Sequence, residues 1–212
     1  GMKYRTKEVQ RRQKATAGLV SLALLATIAV VSNNAIAIAD KNNEVVKQMF
    51  KDDQVATISK IDGLWVVGDS VILGIRRELD AKEHIGLINA RVGRQAGELL
   101  DVIKHDKAKM AGMKTVLDLG NNNRLTSSEV EAIFSELKDQ PLVIVVNTAV
   151  PRGWRDENNQ LIASIAANYS NIRIVDWALK SENHPEYFAP DGVHLIPAGI
   201  AAYVSAITDY LY

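Results

Sequence analysis

The chain has 212 residues, 47% of them hydrophobic and 24% charged, enough for one domain with a full core plus an appendage. It contains no cysteine, which excludes disulfides, thiol catalysis and cysteine–zinc centres. Its zero net charge conceals an asymmetry: residues 1–14 carry six basic groups against one acid, and the remainder, with 19 basic and 24 acidic residues, is a mildly acidic body with no footprint for nucleic acid.

Residues 15–39 hold no charged side chain, and Leu19–Val31 is their apolar centre. About 20 apolar residues span a bilayer. With the cationic cluster ahead of it, the segment reads as an N-terminal hydrophobic helix anchored in the cell membrane, the basic flank inside and the rest of the chain extracytoplasmic. A cleaved secretory signal is the alternative, because Ala35-Ile36-Ala37 and Ala37-Ile38-Ala39 both resemble small-residue cleavage sites. Residues 40–60 read as a linker with a short helix, and residues 61–212 as the folded domain.

Within that domain short apolar runs alternate with amphipathic segments. Leu64–Gly68 is a buried strand and Val71–Leu79 a helix. Ile85–Ala90 is a second strand, followed by a helix over about Gln95–Lys109. Thr115–Leu119 is a third strand. Thr126-Ser127-Ser128-Glu129 is a capping-box pattern opening a helix to about Leu137. Leu142–Asn147 is the most apolar strand, Gln160–Tyr169 a helix, Ile172–Asp176 a fifth strand, and Pro197 starts a last helix to about Tyr210. The alternation predicts an α/β three-layer sandwich around a central five-stranded parallel sheet. Such folds place their sites at the carboxyl ends of the strands.

The residues able to do chemistry fall there. Gly68-Asp69-Ser70 turns from strand into helix, which lifts a serine hydroxyl above the sheet and leaves its own N–H free at a helix N-terminus. Taken alone it reads rather as an Asp or Ser helix cap after a strand. Asp191-Gly192-Val193-His194 lies in the last loop, at a spacing that lets Asp191 take the Nδ1 proton of His194 and turns Nε2 toward the serine. A metal site from His184, Asp191 and His194 is the rival, without any established ligand spacing behind it. Gly120-Asn121-Asn122-Asn123 offers an amide donor for an oxyanion, and Gly93 a further backbone donor. Arg152 and Trp154 follow the fourth strand, where an aromatic face could stack on a sugar ring or simply anchor the loop. Trp65 reads as core, Trp177 as either core or site, and His84 and His105 as surface.

Gly-Asp-Ser, then Gly-x-Asn, then Asp-x-x-His, each on a strand end in that order, resembles the SGNH hydrolase superfamily over about residues 62–212. The resemblance implies a flavodoxin-like SGNH fold, Ser70 as nucleophile, Asp191 and His194 completing a triad, and an oxyanion hole of Ser70, Gly93 and Asn122, with no cofactor and no metal. Asn123 departs from the acidic residue usual in the third block. A narrower set also resembles the extracytoplasmic C-terminal domain of bacterial peptidoglycan O-acetyltransferases: Val67–Val71 with Leu73, Val92–Gln95, Val146–Arg152 with Trp154, Val175-Asp176-Trp177 and Asp191–Leu195. Ala149 stands where that pattern usually has arginine.

That narrower resemblance implies an extracytoplasmic O-acetyltransferase. Its partners are an acetyl donor and a cell-wall glycan, with the C6 hydroxyl of muramic acid as acceptor. It also implies a multi-span acyltransferase module, either upstream in a longer chain or separate. A carbohydrate O-acetylesterase with the same triad and a non-catalytic wall-glycan-binding domain are the alternatives.

Overall fold

The computed structural model describes residues 62–212. The expected hydrophobic helix at 15–39 and linker at 40–60 lie outside the described residues. Among the described residues no helix is long and apolar enough to cross a membrane.

Five strands, β1 (Leu64–Gly68), β2 (Ile85–Ala90), β3 (Thr115–Asp118), β4 (Val143–Val146) and β5 (Ile172–Val175), form one parallel sheet in the order β2-β1-β3-β4-β5. The helices are α1 (Ser70–Lys82), α2 (Ala96–Asp106), α3 (Ser127–Glu136), α4 (Arg155–Ala166), the single turn α5 (Trp177–Lys180) and α6 (Pro197–Thr208), with a 3-10 turn at Pro185–Tyr187 before α6. The strand order is that of flavodoxin-like sheets, in which the chain reverses its direction of travel between β1 and β3 and a crevice opens there.

Strand periodicity sorts the core into two layers. Trp65, Val67, Leu117, Val143 and Val145 face α2, α3 and α4, while Leu64, Val66, Val116, Ile144 and Val146 face α1 and α6. Side chains alternating along buried strands need apolar residues at every position, as Val143–Val146 has. β2 is half-buried throughout because it is an edge strand with a neighbour on one side only.

The largest difference in boundary from the sequence reading is at the start of α4. α4 begins at Arg155, five residues before the expected Gln160, because Asp156 and Glu157 occupy its first turn, where acidic side chains meet the positive end of the helix. α5 and the 3-10 turn were not expected; each is too short to display a helical period. Trp177 is core: it is 3% exposed and packs on Tyr203 with ring centroids 4.9 Å apart, on Tyr187 at 5.8 Å and on Phe188 at 6.1 Å. Trp65 is fully buried, and His84 and His105 are exposed.

The capping box forms as expected. Thr126 Oγ1 accepts from the Glu129 N–H at 3.2 Å and the Glu129 carboxylate accepts from the Thr126 N–H at 2.9 Å, which satisfies two otherwise orphaned donors. Thr126→Ala should therefore cost about 1 kcal/mol of stability, read as a lower urea midpoint with unchanged slope. An unaltered midpoint would mean that α3 is held by packing alone.

Candidate active site

All the strand-end segments converge on the carboxyl edge of the sheet. Asp69 caps α1, its Oδ1 accepting from the Val71 N–H at 2.8 Å, and this fixes Ser70 as the first helical residue. Gly68 is required one residue earlier. It lies across from Asp118 in the β1/β3 register, on the same face, and a Cβ there would sit 2.2 Å from Asp118 Oδ1 and 2.4 Å from Ile72 Cγ1. The Asp118 carboxyl thus occupies the volume that a side chain at 68 would take.

Asp191 and His194 sit on a small hairpin. Phe188 and Leu195 form an antiparallel bridge, Ala189 N–H donates to His194 O at 2.8 Å, and Gly192 N–H donates to Ala189 O at 2.9 Å. Gly192 takes a φ of 69° and the Pro151 ring lies over it, 3.2 Å from where a Cβ would be, so the loop after β4 braces the tip. Below the hairpin, Tyr187 and Phe188 pack on Trp177.

The geometry brings Ser70, Asp191 and His194 into one chain of contacts. Ser70 Oγ is 3.0 Å from His194 Nε2, and His194 Nδ1 is 2.6 Å from Asp191 Oδ2. Asp191 Oδ1 accepts from the N–H groups of Val193 and His194 at 2.9 and 3.0 Å. The His194 contact, followed by these two N–H groups, lowers the Asp191 carboxyl to about 2. Both Asp191 and His194 are about half exposed, at 49% and 50% of their side chains, so water reaches the pair.

Three candidate donors are carried by the serine turn and the two loops tied to it through Asp69 and Asn122. Among the described residues neither the Ser70 N–H nor the Gly93 N–H has a hydrogen-bond acceptor. Asn122 Nδ2 lies between the segments that carry them, donating to Asp69 Oδ2 at 2.7 Å and to the Arg94 carbonyl at 3.0 Å. Both partners are acceptors, so the amide orientation is fixed by its contacts. With both hydrogens engaged, an oxyanion contact from Asn122 requires one of them to be shared. The flanking asparagines point elsewhere: Asn121 Nδ2 bridges Asp69 and Asp118, and Asn123 accepts from the Ala96 N–H and donates to the Arg124 carbonyl. Arg152 is exposed beside Pro151, and Trp154 is half-buried at the start of α4 with its indole N–H enclosed. Neither makes a hydrogen bond to Ser70, Asp191 or His194.

The sequence reading passed over Asp118, Arg94 and Asn158. Arg94 donates to the Gly68 and Asn89 carbonyls and to Asn89 Oδ1. Asn158 ties α4 to the third block, donating to the carbonyls of Gly120 and Asn123 and accepting from the Leu125 N–H. An aspartate in the otherwise apolar run Thr115–Leu119 was the available signal. Also unexpected is a groove of about 880 Å3 at the carboxyl ends of β4 and β5, lined by Asn147, Asn159, Gln160, Asp176, Leu179 and Glu182 among others. It shares Asn147, Ala149 and Phe188 with a small separate cavity walled by Val71 and Val193, the chain neighbours of Ser70 and His194.

No protein-family model matches the chain. The C-terminal catalytic domain of peptidoglycan O-acetyltransferase A from Streptococcus pneumoniae, solved as a methylsulfonyl adduct, superposes with a TM-score of 0.61 at 23% identity, covering 72% of this chain and 94% of that one. A lipase/acylhydrolase from Enterococcus faecalis superposes with a TM-score of 0.57 at 16% identity, covering 70% of this chain and 94% of that one. The chain shares the fold of these two proteins and of a putative SGNH hydrolase from Slackia heliotrinireducens, which superposes with a TM-score of 0.59 at 17% identity, covering 70% of this chain and 98% of that one.

In sequence it is 36% identical over 146 residues to the peptidoglycan O-acetyltransferase OatA of Listeria monocytogenes, covering 68% of this chain and 23% of that protein. The domain is OatA-like, and the chain spans about a quarter of the length of the curated relatives it matches.

Because the carboxyl of Asp191 is lowered by folding, it contributes stability above its ordinary value near ~3.9 and loses it as pH falls toward about 2. The melting-temperature gap between wild type and Asp191→Asn should be open at pH 6 and close progressively below pH ~4. A gap that persists undiminished at the acid end would refute the contact with His194.

Proposed function

We propose that the domain is an extracytoplasmic O-acetyltransferase that moves acetyl through a Ser70 acyl-enzyme to a hydroxyl of peptidoglycan. One observation carries the chemistry: the unbroken line from Ser70 Oγ to His194 Nε2 and from His194 Nδ1 to Asp191. The glycan comes from the names of the relatives, which share this domain. The topology is that of the sequence reading: residues 15–39 hold the chain at the membrane and residues 61–212 work outside it.

Ser70 Oγ attacks the carbonyl of an acetyl donor while His194 Nε2 takes its proton. The N–H groups of Ser70 and Gly93 and the amide of Asn122 receive the oxyanion, and Asp191 holds the imidazolium. The donor oxygen leaves with the proton from His194, and acetyl remains on Ser70. A glycan hydroxyl then gives its proton to His194 and attacks the acetyl carbon, which restores Ser70. The acceptor lies along the groove over β4 and β5. Its amide and carboxylate side chains match the hydroxyls of a sugar, and Leu179, 65% exposed, offers an apolar surface for a ring face. Arg152 and Trp154 flank its entrance.

The second reading, an O-acetylesterase with water as acceptor, is favoured by the exposure of His194 and Asp191, which leaves the acyl-enzyme open to solvent.

Ser70→Ala should abolish turnover of a chromogenic acetyl ester and labelling by a sulfonyl fluoride, and replacement of His194 or Asp191 should lower kcat by on the order of 10³-fold. Labelling of Ser70→Ala at the wild-type rate would remove the nucleophile assignment. With a muramic-acid oligosaccharide added, acetylated glycan should appear by mass spectrometry, and Gln160→Ala or Trp154→Ala should lower that product more than background hydrolysis. Deacetylation of an acetylated glycan with no transfer product would favour the esterase.

A further inference from the structure

Asp118 takes no part in the steps above, yet it is a carboxyl group 3% exposed on the strand that ends beneath the nucleophile turn. Its Oδ1 accepts from the Asp69 N–H at 3.1 Å. Its Oδ2 and Asp69 Oδ2 share one donor, Asn121 Nδ2, at 3.2 and 3.0 Å. Two carboxyl groups this buried, sharing one amide and with no cation hydrogen-bonded to either, repel as a pair of anions, which favours one proton held between them. Asp69 has the larger share of donors: Val71 N–H on Oδ1, and the amides of Asn121 and Asn122 on Oδ2. The proton accordingly sits on Asp118, whose carboxyl is pushed well above the usual carboxylate range by burial and then by the Asp69 charge.

We propose that Asp118 is a positioning residue for the acyl-transfer site: set against Asp69 and holding the Asp69 N–H, it fixes the Asp69–Asn122 contact, and with it the oxyanion donors, and a second negative charge on the pair turns the site off. The inference rests on the oxyanion role proposed for Asn122.

Two effects act together. The first is geometric. Asp118 holds the Asp69 N–H and fills the space above Gly68, so the turn that carries Ser70 is seated on it. The second is electrostatic. One carboxylate already lies 2.7 Å from Asn122 Nδ2, and a second anion behind it would oppose the negative charge that develops on the acyl oxygen. Arg94 is the cation that faces such a charge, and it makes no hydrogen bond to it. The groups facing the pair are Arg94 from the loop after β2 and Tyr203 from α6, with only Gly68 and Val146 alongside in the sheet. Arg94 donates from its Nη groups to the Gly68 and Asn89 carbonyls and to Asn89 Oδ1, while its Nε–H is buried without a partner, so neither carboxylate receives a hydrogen bond from it. Burial, then Asp118 and Asp69, hold the Tyr203 phenol well above its ordinary value.

The test is the pH profile of kcat for acetyl-ester turnover by the full chain, from pH 6 to 10, in wild type, Asp118→Asn, Asp118→Ala, Tyr203→Phe and Asn122→Ala. Wild type and Tyr203→Phe should lose kcat on the same alkaline limb. Asp118→Asn, neutral at every pH and able to accept from the Asp69 N–H, should lack that limb. Asp118→Ala should fall at least about tenfold in kcat at pH 7 with KM little changed, short of the roughly 10²–10³-fold cost of losing an oxyanion donor outright, and Asp118→Asn should recover most of that loss.

In protein labelled with ¹³C at the aspartate carboxyl carbons, one resonance absent from Asp118→Asn should stand at its protonated shift at pH 7. If Asn122→Ala loses kcat while Asp118→Asn keeps the wild-type limb, or if that resonance stands at its ionised shift, the assignment of Asp118 is overturned and the oxyanion reading survives. If Asn122→Ala keeps full kcat, the oxyanion reading fails and the role of Asp118 falls with it.

Discussion

The carboxylate of Asp69 is the point at which this site is tied together. It caps the helix that carries Ser70, and it receives the amides of Asn121 and Asn122 from the loop after β3. Through Asn122 it is linked to the carbonyl of Arg94 in the loop after β2. Three loops from three adjacent strands, β2, β1 and β3, are therefore held in register by one side chain. Its neighbour Ser70 is positioned without a polar contact of its own other than the one with His194. A parallel sheet delivers these loops to one edge, but at a precision of a strand spacing, about 4.8 Å. Hydrogen bonds of 2.7–3.2 Å refine that placement to what acyl chemistry needs.

The base arrives by a different route. Asp191 and His194 are carried on an exposed hairpin whose tip contains no buried apolar side chain, and its rigidity is borrowed from beneath. Trp177, Tyr187, Phe188 and Tyr203 form an aromatic cluster at its base, and Pro151 leans on Gly192 at its tip. Aromatic pairs of this kind contribute about 0.5–1.5 kcal/mol each beyond the area they bury. The proposed nucleophile is thus fixed by buried polar contacts and the proposed base by apolar packing. Substitutions in the two halves should have different signatures: charge-dependent loss on the Asp69 side, and loss that tracks side-chain volume on the hairpin side.

How much of this was legible follows from the range of each interaction. Strand and helix order could be read because apolar runs and capping patterns are local; Thr126 and Glu129 are three residues apart and announce their own helix. The grouping of Ser70, Asp191 and His194 could be inferred only because each lies at the end of a strand and a parallel sheet brings such ends together. The Asp69–Asp118 contact spans 49 residues and depends on the register of β1 against β3, which places Asp118 where Gly68 has no side chain. Nothing in the local sequence encodes that register. The start of α4 was misread for the opposite reason: Arg155–Asn159 is polar enough to pass for loop, while its acidic first turn and the contacts of Asn158 with Gly120 and Asn123 stabilise it as helix.

The same scaffold serves acylhydrolases and O-acetyltransferases, so the direction in which acetyl leaves Ser70 is not decided by the sheet or by the triad. It is decided by what competes with water at the acyl carbon. His194 here is half exposed, and an open base activates water as readily as it activates an alcohol. Transfer then depends on holding the acceptor hydroxyl in place for longer than a water molecule remains, which is a matter of binding over an extended surface rather than of added catalytic groups. The groove along β4 and β5 is of the size that recognition requires, and it is built from segments outside the Asp69 network: the start of α4, α5 and the turn that follows. Acceptor preference can therefore change through substitutions in those segments while the oxyanion side stays fixed. That separation lets one fold alternate between esterase and transferase without rebuilding its chemistry.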